Sequence, residues 1–351
     1  MRVGFLSYPM LFQREGGLQI QVRETIAALN RLEGKDAVQA ELVEPSRERL
    51  DQYDLIHVFS AINGNVRVLE AASEMGVPVV LSPLLSPSWD RAAGLRARLA
   101  DRLAGRLSAW NVQTSYAQTE RALQLAQLVI ALGEAEREAI ISGFLIPPEK
   151  IRVFPNGISR HFFTAKGEIF RHRTGIIGPF VLMVGTVSAY KNQLGVAQAL
   201  AGCGLPLVLI GRVAREEHAY LEALMELPWV RWMGELGHDD PLLASAYCAA
   251  AAVALPSQGE VFPLAVLEAL AAGTPVVMTD ESALQIDGSD FALRKVRWDD
   301  ASAQRSCLLE FLTAPPAREQ VRNLVEAFTW QRVATQIAAC YQELAACQCS
   351  P

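Results

Sequence analysis

Two carboxylates with seven residues between them, Glu260 and Glu268, stand in the run 260–276, E-V-F-P-L-A-V-L-E-A-L-A-A-G-T-P-V. The residues around them predict a helix start. Pro263 fits a first turn, where its missing N–H is no loss, and Gly273 with Pro275 beyond it are stop signals. Apolar runs at 249–255 and 276–278 flank the segment, so its order is strand, loop, helix, strand. The amides of Leu264 to Val266 then lack partners inside the helix and present partial positive charge to an anion such as a diphosphate. Glu260, in the loop with Phe262, suits sugar hydroxyls. Glu268, about a turn and a half into the helix, suits a vicinal ribose diol. A bare pair of glutamates could equally be two solvated side chains on an ordinary helix. The proline, the glycine stop and the flanking strands weigh against that reading.

The chain has 351 residues, which suits two domains of about 150–180 residues each. Apolar strand candidates at 3–6, 38–43, 55–59, 77–81, 128–132 and 151–154 alternate with helical stretches, and the alternation resumes at 180–184, 206–210, 229–233, 251–255 and 275–278. The pattern predicts an α/β protein with two Rossmann-like, doubly wound domains, each a parallel sheet covered on both faces by helices. Between them, 156–178 is rich in Gly, Arg and His and poor in periodic apolar residues, as a linker is. The expected domains are 1–165 and 170–329, followed by a last helix at 330–347 beyond the Pro315-Pro316 break. Open α/β sheets bind ligands beyond the carboxyl ends of their strands, so two such sheets are expected to face an interdomain cleft.

The segment 256–277, P-S-Q-G-E-V-F-P-L-A-V-L-E-A-L-A-A-G-T-P-V-V, resembles the signature of family 4 retaining glycosyltransferases of the GT-B fold. Four further runs resemble recurrent family segments in the expected order: A-Q-L-V-I-A-L-G-E-A-E-R-E (126–138), K-I-R-V-F-P-N-G-I (150–158), V-L-M-V-G-T-V-S-A-Y-K-N (181–192) and F-T-W-Q-R-V-A (328–334). The resemblance implies an acceptor-binding first domain, a donor-binding second domain and a C-terminal helix packing back on the first. It implies transfer of a sugar from a nucleoside-diphosphate donor to a glycan, lipid-linked or small-molecule hydroxyl, in bacterial glycan or glycolipid biosynthesis. In such enzymes the acceptor attacks the face from which the diphosphate leaves, and the leaving phosphate takes the proton. The protein then supplies positive potential rather than a base.

By the same resemblance the catalytic pair is Glu260, on the donor sugar, and Lys191, in the loop G-T-V-S-A-Y-K-N (185–192), on the diphosphate. Gly185 and Thr186 open that loop. Many relatives carry arginine where Thr186 stands, and Arg212, after L-V-L-I-G, is a candidate to supply the missing charge. Main-chain atoms of Met233 to Leu236 are expected beside the nucleobase. No D-x-D pair stands at a suitable strand end, so neither a metal nor another cofactor is expected. Gly16 and Gly17, at the start of the first helix, would let backbone approach phosphates or acceptor. His57 and Ser82 are the candidates for the acceptor or sugar pocket; relatives carry histidine where Ser82 stands, and for His57 a buried structural role is the stronger reading. Thr186 and Ser82 keep open the alternative of an inactive homologue acting as a binding partner, and the similar two-domain fold keeps open that of a nucleotide-sugar epimerase.

A net charge of −6 argues against a general nucleic-acid binder. With 51% hydrophobic and 20% charged residues, the composition excludes dominant disorder. The six cysteines, at 203, 248, 307, 340, 347 and 349, form no C-x-x-C pair and read as free thiols of a cytoplasmic protein. No run reaches the roughly 18 apolar residues of a membrane span. The stretch 90–107 carries leucines at 95, 99, 103 and 107 on one helical stripe, and five arginines against two aspartates. Packed on the core it would show a solvated arginine face, the favoured reading for so narrow a stripe. Alternatively it makes a peripheral contact with anionic lipid.

Overall fold

Short runs such as Val79–Ser82 and Ala252–Leu255 are buried along their whole length. Parallel strands covered by helices on both faces have no solvent side on which to place polar residues. The structure, a computed structural model, describes residues 1–13, 16–107 and 114–348 and divides into two units. The first comprises 1–157, 283–285 and the chain from Trp330 onward. Its strands are β1 (Arg2–Leu6), β2 (Gln39–Leu42), β3 (Leu55–Phe59), β4 (Val79–Ser82), β5 (Leu128–Ala131) and β6 (Ile151–Val153). They form one parallel sheet in the order β2-β1-β3-β4-β5-β6. The second unit, 158–282 and 286–329, holds β7 (Val181–Val184), β8 (Leu207–Ile210), β9 (Val230–Trp232), β10 (Ala252–Leu255), β11 (Val276–Thr279) and β12 (Leu293–Val296). These too are all parallel, in the order β12-β11-β10-β7-β8-β9.

Both units are therefore Rossmann-like, doubly wound α/β sheets. In the second, the chain moves outward from β7 to β9 and then returns to place β10 on the other side of β7. The loops that follow β7 and β10 diverge there, at the switch point where such sheets take ligands. Eleven strands lie where the apolar runs predict them, and β12 was missed. Its sequence, L-R-K-V, puts two cations in four residues of an edge strand, so no apolar run marks it.

The segment read as a linker is folded. The chain enters the second unit at Ile158, ahead of the expected boundary at 165–170. Helices at Arg160–Phe163 and Glu168–Thr174 sink Phe162 and Phe170 completely, and Phe170 stacks on Phe180 with ring centroids 5.4 Å apart. The backbone N–H of Phe170 donates to Ser245 Oγ at 2.9 Å, and that hydroxyl donates to the carbonyl of Lys166 at 2.6 Å. The last helix, Trp330–Gln348, lies in the first unit against the Gly17–Leu29 helix.

The Arg91–Leu107 helix reverses the orientation favoured from its sequence. Gly94 and Gly105 face inward and are buried, while Leu95, Leu99 and Leu103 face solvent; the side chain of Leu107 lies outside the described residues. Close packing decides this, since a Cβ at Gly94 would lie 2.1 Å from the carbonyl oxygen of Gly143. Cys203, Cys248, Cys307 and Cys340 are free thiols; Cys349 and the side chain of Cys347 lie outside the described residues. No described helix is long and apolar enough to cross a membrane.

Candidate functional site

At the switch point of the second sheet, β7 and β8 approach so closely that glycine is required. A Cβ at Gly211, whose φ is +153°, would lie 1.9 Å from the carbonyl oxygen of Gly185. Gly185 itself has a φ of +141°, and its N–H donates to Ile210 at 2.9 Å. The chain then turns through a short 3-10 segment, Ala189–Lys191, and Asn192 takes the left-handed conformation at φ 58° before the next helix begins. This loop is stitched to the one following β10. Gln258 N–H donates to the Tyr190 carbonyl at 2.9 Å, the Tyr190 hydroxyl donates to the Gly259 carbonyl at 2.7 Å, and Lys191 Nζ donates to Glu260 Oε1. Glu260 N–H is in turn held by the Glu281 carbonyl at 2.8 Å.

The structure thus joins the two residues expected to act on different parts of one donor. Lys191 and Glu260 form an ion pair with side chains 23% and 13% exposed. Burial, and then the Glu260 charge, push the neighbouring Tyr190 phenol above its ordinary value. No spacing rule links positions 191 and 260; only the adjacency of β7 and β10 brings them together.

Beyond Glu260, Pro263 stands immediately before the Leu264–Ala271 helix rather than in its first turn, and Phe262, Pro263 and Leu264 are buried. One expectation changes here: Val266 N–H already donates to the Pro263 carbonyl at 3.2 Å, so of the three amides only Leu264 and Ala265 stand ahead of that bond. Glu268 is 5% exposed. Its Oε2 accepts from the Tyr247 hydroxyl at 2.9 Å, and its Oε1 lies 3.1 Å from His238 Nε2. The aromatic wall of this cluster is Phe162, 5.8 Å from Tyr247 and 5.4 Å from His238 between centroids. Burial drives the Tyr247 phenol well above its ordinary value, reinforced by the Glu268 charge. Sequence reasoning assigned His238 no role and missed Tyr247. Positions 238, 247 and 268 share no periodicity, and only the fold brings them together.

Thr186 and Arg212 are both half-buried at the carboxyl edge of the sheet, after β7 and β8. The Thr186 carbonyl accepts from Gln193 Nε2 at 3.0 Å, while Arg212 Nε is buried with no hydrogen-bond partner among the described residues. A buried guanidinium nitrogen without an acceptor is costly, which suits a site that takes an anion. The expected main-chain contacts at 233–236 are partly spent: Met233 N–H donates to Leu209 at 2.9 Å, and the Gly234 carbonyl accepts from Gly211 at 2.8 Å. Leu236 is half-buried beyond them.

In the first unit, Gly16 precedes the Gly17–Leu29 helix in extended backbone, and a Cβ there would meet nothing within 4 Å. The glycine is therefore not demanded by packing. His57 and Ser82 do not line a pocket. His57 is fully buried, with Nε2 2.9 Å from Ser82 Oγ and Nδ1 2.6 Å from the Tyr341 hydroxyl of the last helix. Burial lowers its pKa to about 3, so the ring is neutral and ties β3, β4 and that helix together. Another buried ionisable group escaped the sequence reading. Glu136 accepts from the N–H groups of Leu85 and Leu132, each at 2.7 Å, and burial raises its pKa to about 7.

Two family models match this chain: "Glycosyl transferase 4-like domain" over residues 23–157, and "Glycosyl transferases group 1" over 178–309. An MMP α-(1→4)-mannosyltransferase of Mycolicibacterium hassiacum is 27% identical over 247 residues, 64% of this chain and 56% of that protein's length. Among solved structures, sucrose-phosphate synthase from Thermosynechococcus elongatus superposes with a TM-score of 0.76 at 19% identity over 99% of both chains. Anabaena HepE in complex with UDP-glucose gives 0.67 at 19% identity, over 98% of this chain and 100% of that one. At such identities the structural likeness concerns the fold.

Proposed function

Because this chain belongs to the family 4-like glycosyltransferases of the GT-B fold, we propose that it moves a sugar, with retention and without a metal, from a nucleoside diphosphate to a hydroxyl acceptor in bacterial glycan or glycolipid synthesis. The observation that carries this reading is the meeting of Lys191 and Glu260 across the switch point between β7 and β10. An incoming diphosphate offers Lys191 a second anion. As the ammonium turns to the phosphates, the Glu260 carboxylate is released to accept hydrogen bonds from sugar hydroxyls. One ion pair thus holds both groups in place before the donor arrives.

Arg212, with its unsatisfied Nε, adds positive charge beside the leaving group and offsets the threonine at position 186. The Leu264 and Ala265 amides supply further dipoles of the same sign. Glu268 is fixed by Tyr247 and His238, and each of its oxygens keeps a second lone pair for a ribose hydroxyl. The acceptor hydroxyl attacks the anomeric carbon from the face the diphosphate leaves, the carbon–oxygen bond to the diphosphate breaks, and the acceptor proton passes to the departing phosphate. The resident of the superposing HepE structure, UDP-glucose, shows the class of donor to try first.

The test is a thermal-shift screen against UDP-, GDP-, ADP- and dTDP-sugars. Stabilisation by one donor, followed by its slow hydrolysis and by loss of transfer in Lys191→Ala and Glu260→Ala variants that remain folded, is the expected result. Retained transfer in both variants would sink the assignment. No shift with any nucleotide favours a binding protein instead.

A further inference from the structure

The 17-residue Arg91–Leu107 helix is attached to the first unit by its small and polar residues. Gly94 sits against Gly143, Arg98 donates to the Tyr116 hydroxyl at 3.1 Å, and Asp101 accepts from Thr114 Oγ1 at 2.8 Å. That attachment fixes which side is turned to solvent. Leu95, Leu99 and Leu103 follow one another at four-residue steps, on one face of the helix, and are 55%, 51% and 61% exposed. Arg91, Arg96, Arg102 and Arg106 are exposed as well, whereas Asp101, the helix's sole acid, is turned toward the protein. At about 100° per residue, Leu95, Leu99 and Leu103 share a side with Arg102 and Arg106, and Arg91 and Arg96 flank it.

Burying leucine against the protein is worth more than exposing it, so a helix that spends glycine inside and leucine outside calls for a second apolar phase. The charge identifies that phase. Four exposed cations without an acid rim the apolar stripe, on a chain whose net charge is −6. A second copy of the chain docked across a two-fold axis would set these arginines against their own equivalents. An anionic phospholipid surface instead takes the leucines among its acyl chains and pairs the guanidinium groups with its phosphates.

We propose that the outward face of residues 91–106 is a docking surface for anionic phospholipid, holding the protein at a membrane without spanning it. This site is separate from the sugar chemistry, and its test needs no transfer assay. The full chain is floated with vesicles of phosphatidylglycerol and phosphatidylcholine, and with vesicles of phosphatidylcholine alone. Binding is expected to the first only, and to fall with added salt. Replacing Leu95, Leu99 and Leu103 together by Gln abolishes it. Neutralising the four arginines one at a time, as Arg91→Gln, Arg96→Gln, Arg102→Gln and Arg106→Gln, lowers the partition about fivefold per charge. Because the altered side chains are exposed, circular dichroism and melting should match the parent, which separates lost docking from lost fold. Absence of binding to either vesicle overturns the proposal. So does binding indifferent to lipid charge, or a concentration-dependent dimer in sedimentation velocity that the leucine replacements abolish.

Discussion

If Lys191 must leave Glu260 to take a diphosphate, the ion pair competes with the donor, and weakening it from the Glu260 side should tighten binding of a diphosphate that carries no sugar. The perturbation is Glu260→Gln, which keeps the shape and removes the charge. At contact distance and an effective dielectric near 20, the gross attraction is about 4 kcal/mol. Desolvation and side-chain ordering offset most of it. With the side chains 23% and 13% exposed, the net coupling is about 1–2 kcal/mol. Relieved of that competition, Glu260→Gln should bind the bare nucleoside diphosphate about fivefold to thirtyfold more tightly, whereas Lys191→Met should bind it at least about tenfold more weakly. Isothermal titration of the parent, both single variants and the double variant measures each affinity. Thermal unfolding of the same four proteins gives the coupling independently. Transfer by Glu260→Gln should nevertheless collapse, since the sugar hydroxyls exchange a charged carboxylate with two acceptor oxygens for a neutral amide with one. An affinity for the bare diphosphate that is unchanged or reduced in Glu260→Gln refutes the exchange of partners, even if Lys191 proves essential.

Other outcomes follow from the same packing. Gly211→Ala should destabilise by about 3 kcal/mol or more in urea and weaken donor binding, because its Cβ at 1.9 Å must push aside the Gly185 carbonyl that opens the Lys191 loop; an unchanged melting point would refute this. Tyr247→Phe leaves the buried Glu268 short of one donor and should cost about 1–3 kcal/mol in the same measurement. For Glu136 the folded pKa, about 7, lies above the ordinary 4.5. Its contribution is therefore fully present below pH 4.5, is lost as pH rises through 7, and amounts to about 3 kcal/mol over that window. Unfolding experiments across that range should show the parent losing stability relative to Glu136→Gln, and parallel curves would contradict the assignment.

Most strand positions were legible because the inner strands are buried on both faces, and such strands must be runs of apolar residues. β12 escaped because its edge position tolerates Arg294 and Lys295. The segment 156–178 was misread as a linker for a related reason. Phe162 and Phe170 are single large anchors without a periodic neighbour, and their burial depends on Tyr247, far along the chain, and on Phe180, just before β7. The Arg91–Leu107 helix shows the converse, since its stripe of leucines was plain and its direction was not. Periodicity reports that a face is apolar, and contact between Gly94 and Gly143 decides which face turns inward.

The sequence by itself determined two α/β units, the strand-loop-helix segment around Glu260 and Glu268, and the family to which the chain belongs. These are local matters of period, turn residues and order along the chain. Only the tertiary structure decided the partners: Lys191 with Glu260, Glu268 with Tyr247 and His238, and His57 with Ser82 and Tyr341. Each of these contacts joins residues between 21 and 284 positions apart. Hydrogen bonds and ion pairs act over a few ångströms of space, and it is the order of strands in the sheet that sets which distant residues come within that reach.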